Sequence, residues 1–191
     1  MKNIEKNMNL LNRIFFIATI VWMIIIFIFS HQTGEDSADF SGSITKAIVE
    51  TIINDFDTYS DSKQQLILEK ANYIIRKGAH FTEYGILGMF SILTLLTHMY
   101  KNNRRYDKCT TNKLIRFNML YAFLFSALYA VSDEIHQNFT DNRSPAILDV
   151  AIDSSGALCA ILFISLLFYF LYVKKLINEN NNQTNIKRAE L

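Results

Sequence analysis

Cysteine is scarce in this 191-residue chain, and its two positions exclude a disulfide scaffold. Cys109 lies in a basic linker and Cys159 in an apolar block, a spacing that suits neither a bridge nor a metal site. Charge is scarce too. Only 19% of the residues are charged and the net charge is +1, so no basic excess points to nucleic acid. Proline occurs once, and the alternating ten-residue segments of a membrane barrel are missing. What is plentiful is apolar side chain. Half the residues are hydrophobic, and they sit in solid blocks, not at the helix or strand periods of a soluble domain. That composition excludes disorder over most of the length. The remaining class is an integral membrane protein built of helices, which satisfy their own backbone groups in lipid.

Four blocks match a hydrocarbon core of about 30 Å at about 1.5 Å per residue. They fall at about 13–30, 79–99, 114–132 and 147–173. A signal peptide competes for the first, with Lys2, Lys6 and Arg13 as its basic region. No small-residue cleavage site follows Phe29, so the block reads as a retained membrane helix. Basic residues then set the orientation. The N-terminus, the linker with Lys101, Arg104, Arg105, Lys108, Lys113 and Arg116, and the end with Lys174, Lys175, Lys187 and Arg188 are all basic. Four spans place these three regions on one side, which the positive-inside rule makes the cytoplasm. The expectation is an all-α, four-span protein of the cell membrane with both termini cytoplasmic. Residues 1–12 form the N-terminus, 13–173 the membrane domain and 174–191 a polar, disordered tail.

The opposite side receives 132–146 and the acid-rich stretch 31–78. In that stretch Phe40, Ile44, Ala47, Ile48, Thr51 and Ile52 recur at helical spacing, as do Leu66, Ile67, Tyr73 and Ile74. They predict two amphipathic helices, either lying in the outer interface or packed on each other as a hairpin. The second runs into span two near Gly78.

Polar residues crowd the outer ends of the spans. Lys77, His80, Glu83 and Tyr84 share an arc of span two, and Ser91, Thr94 and His98 extend it inward. Ser126, Tyr129, Asp133, Glu134, His136 and Gln137 mark the end of span three, and Asp149 and Asp153 stand one turn apart at the start of span four. Gly156 and Ala160 read as a small-residue seam on that last helix. An unpaired charge at membrane depth costs several kcal/mol, so the three clusters should converge on one site. Mutual neutralisation alone would need fewer groups. Proton transfer by His80, Glu83, Asp133, Glu134 and His136 is one use of the set. A divalent metal held by His80, Glu83, Glu134 and His136 is the alternative, although the spacing signals are weak and no HExxH occurs. No P-loop or dinucleotide fingerprint is present, and no cofactor is expected.

Ser30-His31-Gln32 with Ser37, the run Lys77–Gly88 (KGAHFTEYGILG), Ser132–Phe139 (SDEIHQNF), Arg143, and Asp149-Val150 followed by Asp153–Ala157 (DSSGA) together resemble the VanZ family. The resemblance runs from Ser30 to about Ala160. It departs at His31, where the family usually has serine, and at Asp141-Asn142, where proline-glycine usually precedes the arginine. Membership implies a multi-pass protein of mainly Gram-positive bacteria, related to an accessory protein of glycopeptide, especially teicoplanin, resistance. It implies membrane lipid, and a lipid-linked cell-wall precursor or glycopeptide, as partners. Lys77, Tyr84, Gln137, Arg143, Asp149, Asp153, Ser30 and Gln32 would then bind the ligand, with Arg143 as an anion clamp at the mouth. The phosphotransbutyrylase label of some relatives conflicts with residues that face away from cytosolic acyl-CoA. A small metal-dependent membrane hydrolase and, less well supported for want of an internal repeat, a transporter are the competing functions.

Overall fold

The computed structural model describes residues 2–102, 108–141 and 146–189. Five α-helices account for nearly all of them: α1 (Lys2–Ser30), α2 (Gly34–Ile52), α3 (Asp61–Asn102), α4 (Lys108–Gln137) and α5 (Ile147–Ala189). A single 3-10 turn, Phe56–Thr58, links α2 to α3. Stretches within α1, α3, α4 and α5 are long and apolar enough to cross a membrane. Their outer surfaces carry exposed Ile17, Ile24, Ile28, Leu128, Phe163 and Leu167. In water such faces would be costly, whereas against lipid tails they lose nothing. The all-helical, four-span expectation holds.

Helix α3 is the centre of the bundle, packing on each of the other four. Its contact with α5 is set by glycine. A Cβ at Gly156 would stand 2.0 Å from the Phe81 carbonyl oxygen, and one at Gly88 would stand 2.7 Å from that of Ala157. Backbone therefore meets backbone, which only residues without a side chain permit. The seam is made by Gly85, Gly88, Gly156 and Ala157; Ala160, expected to extend it, is only half-buried. On the other side, the Trp22 indole donates to the Glu83 carbonyl (2.8 Å), the Asn12 amide to that of Thr94 (2.8 Å), and the Tyr129 hydroxyl to that of Met23 (2.7 Å). These bonds fix α1 against α3 and α4.

Both amphipathic helices form. The second is continuous with its span: α3 runs unbroken through Gly78, beside which a Cβ would meet nothing within 4 Å. Helix α2 lies on the first half of α3, burying Thr45 and Val49, with the Thr45 hydroxyl 3.2 Å from Asn72 Oδ1. It leaves Phe40, Ile48 and Ile52 exposed. Helix α2 therefore packs on α3 and keeps an apolar face exposed.

Helix α5 continues to Ala189. No proline or glycine follows Gly156, so nothing in the chain ends the helix once it has started. His98 is exposed, so the inward polar face stops at Ser91, Thr94 and Thr97.

Candidate functional site

One end of the bundle holds a cleft of about 170 Å³ between α1, α2, α3 and α4. Its polar lining is Ser30, Gln32, Ser37 and Ser41 from the end of α1 and the start of α2, Arg76, His80 and Glu83 from α3, and Asp133 and Gln137 from α4. Ile26, Phe29, Phe40, Ile44 and Ile75 form an apolar wall beside them. The helices explain the grouping. Arg76, His80 and Glu83 are spaced i, i+4, i+7, and Asp133 and Gln137 i, i+4, so each set forms one stripe. The chain reversal after Ser30 is pinned by two bonds. Thr33 caps α2 by accepting from the Asp36 amide (3.2 Å), and the Gly34 amide donates to the Asp141 carbonyl (3.0 Å).

Behind the lining lies a second layer. Asp153, 2% exposed, sits with its Oδ1 3.5 Å from His80 Nδ1. A buried carboxylate close to one ring nitrogen can orient the imidazole, an arrangement that suits a general acid or base. Asp133 is buried and accepts from Gln137 Nε2 at 3.2 Å. The hydroxyls of Ser30 and Tyr84 are buried without a hydrogen-bond partner among the described residues. Unpartnered buried hydroxyls cost about 1–3 kcal/mol each, so such groups call for a water or a ligand atom. Tyr84 is fully buried beside Tyr129, ring centroids 6.3 Å apart, and stands behind the cleft instead of lining it.

The remaining expected residues lie around this centre. Lys77 forms an ion pair with Asp149 in the first turn of α5, so the cation lining the cleft is Arg76, not Lys77. Lys77 points one helical stripe away from Arg76, toward α5, because 100° separates neighbours. Glu134 is buried and accepts from the Ala146 amide at 3.3 Å, which ties its carboxylate to the start of α5. A carboxylate there satisfies an orphan amide and favours the helix dipole, a structural use. His136 stacks on Phe27 (4.6 Å between centroids) and places Nε2 3.3 Å from His31 Nδ1, at the rim of the bundle. Arg143 lies outside the described residues.

Among the described residues no three His, Cys, Asp or Glu side chains come together in a way that could hold an ion. Glu134 accepts from the Ala146 amide and His136 faces His31, on different stripes of α4. Sequence reasoning names Ser37 without placing it in the site, and misses Arg76 as a lining residue and the apolar wall. The i, i+4, i+7 spacing of Arg76, His80 and Glu83 was the available signal. For Phe40 and Ile44 none existed, since their place depends on how α2 folds back.

Bundle and cleft together define a multi-span helical membrane protein with a polar site at one end of its spans. A family model, VanZ/LLP1, matches residues 15–169, and the chain belongs to that family. No curated protein and no solved structure matches this chain.

Proposed function

We propose that the cleft binds an amphipathic ligand of the cell envelope, of the kind a lipid-linked cell-wall precursor or a lipoglycopeptide represents, from the outer face of the membrane. The supporting observation is the pairing of the apolar side chains Ile26, Phe29, Phe40, Ile44 and Ile75 with polar ones of α3 and α4 inside one cleft. An acyl or polyprenyl chain suits the first. On the second, Arg76 offers a fork to phosphate or carboxylate, and Glu83, Asp133 and Gln137 accept or donate hydrogen bonds to a polar head. His80, oriented by Asp153, is the group equipped to move a proton if the ligand is also processed. Family membership, with its link to teicoplanin resistance, agrees with a cell-envelope ligand, and the basic character of the termini and of the linker after α3 supports an outward-facing cleft.

Lipid mass spectrometry of the detergent-purified protein tests this reading. A specific headgroup-bearing species should co-purify with wild type and fall about tenfold or more in R76Q, the loss expected when a charge-assisted hydrogen bond of ~1.5–3 kcal/mol disappears. D133N should reduce it as well. Identical lipid profiles in wild type, R76Q and D133N would remove the cleft as the binding site.

A further inference from the structure

At the rim of the bundle, outside the cleft lining, His31 from the end of α1 meets His136 from the last turn of α4. Their facing nitrogens, Nδ1 and Nε2, are 3.3 Å apart. The rings lie nearly parallel, 21° between planes, and the Phe27 ring stacks against both. Two neutral imidazoles hold this arrangement with a single shared hydrogen bond, a modest return for ordering two side chains at an exposed position.

The separation fits a different use. A tetrahedral ion with bonds of about 2.0–2.1 Å holds two nitrogen ligands about 3.3–3.4 Å apart. A small rotation of each ring turns both lone pairs from each other onto one point outside the pair. Phe27 backs the rings on one side, and the exposure of His31 leaves room for water to complete the shell. Imidazole favours zinc, copper and nickel over the hard alkaline-earth ions.

We propose that His31 and His136 form a two-imidazole site for a late first-row divalent cation, Zn²⁺, Ni²⁺ or Cu²⁺, with water as the remaining ligands. An ion there cross-links α1 to α4 beside the Gly34–Asp141 bond, tightening the same corner that carries Ser30, Gln32 and Ser37. The site is separate from the cleft and needs no ligand bound there.

Tag-free, EDTA-washed protein in detergent, titrated with Ni²⁺ or Zn²⁺ while thermal unfolding is followed, tests the site. Wild type should be stabilised with saturation at one ion per chain, and H80Q should respond like wild type. H31S, at an exposed position where misfolding is not at issue, should bind Ni²⁺ at least ~10-fold more weakly, the smaller end of what even an outer-shell change costs a metal site. H136Q should lose binding in parallel. Equal stabilisation of wild type and H31S, saturation abolished by H80Q instead, or no response in wild type to either ion would each overturn the proposal.

Discussion

At the scale of single residues, the outcome turns on which groups find partners. Lys77 and Asp149 are the clearest case, since each retains only 23% and 16% side-chain exposure. Exposed ion pairs are worth about 0–1 kcal/mol, and breaking a fully buried one costs about 3–5. A half-buried pair falls between. K77M should therefore destabilise the protein by ~1–2 kcal/mol, softened because Asp149 stays in the favourable first turn of α5. The K77M/D149N double variant should cost less than the two single changes added together, because neither group is then left alone. Denaturation in detergent micelles measures both. Strict additivity would mean that the two side chains do not interact.

At the scale of helices, glycine decides where elements touch. The crossing of α3 over α5 brings His80 to Asp153, and it exists because Gly88 and Gly156 let backbones meet. G156A would drive a methyl group into the Phe81 carbonyl, and backbone cannot swing aside as a side chain can. Overpacking costs typically ~1–3 kcal/mol, occasionally more, and G156A should fall at or above the top of that range. G78A supplies the contrast. Nothing lies near its new Cβ, so the gain in helix propensity should leave stability unchanged or raise it by up to ~1 kcal/mol. Unfolding temperatures of the two variants in one detergent check the pair of expectations, and a G156A as stable as G78A would deny the close crossing.

For the whole molecule, the distribution of charge bears on which way the bundle faces. The linker after α3 is strongly basic while the stretch before α3 is acidic, and charge asymmetry of this kind sets orientation. We predict that the cleft end faces outward. Asp57 lies exposed just before α3 and Cys109 lies exposed at the start of α4, at opposite ends of the spans. In single-cysteine variants, D57C should react with an impermeant maleimide on intact cells, and Cys109 only after the membrane is opened. The reverse pattern would turn the cleft to the cytoplasm and end the cell-envelope reading of the site.

The amino-acid sequence by itself determined the number of spans, their approximate limits, the family, and the concentration of polar groups at one end. Those properties follow from composition along the chain: lipid demands runs of apolar residues, and the cost of burying charge restricts ionisable groups to places where they are used. The i, i+4, i+7 stripe of Arg76, His80 and Glu83 belongs to this legible part, because helix geometry alone aligns it. Tertiary structure decided the rest. Lys77 and Arg76 are neighbours in sequence, yet one faces Asp149 on α5 and the other the cleft, since only the packing of α3 says which side holds which helix. Glu134 and His136 looked equivalent to Asp133 and were dispersed to the start of α5 and to the rim, a separation set by 100° steps around α4 and by what happens to stand opposite each step. Part of the apolar wall of the cleft, Phe40 and Ile44, came from α2, whose amphipathic pattern could state that one face would be covered but not by what. Pattern reports the face a residue occupies on its own helix; the partner across from it is a long-range contact, and that exists only once the helices have crossed.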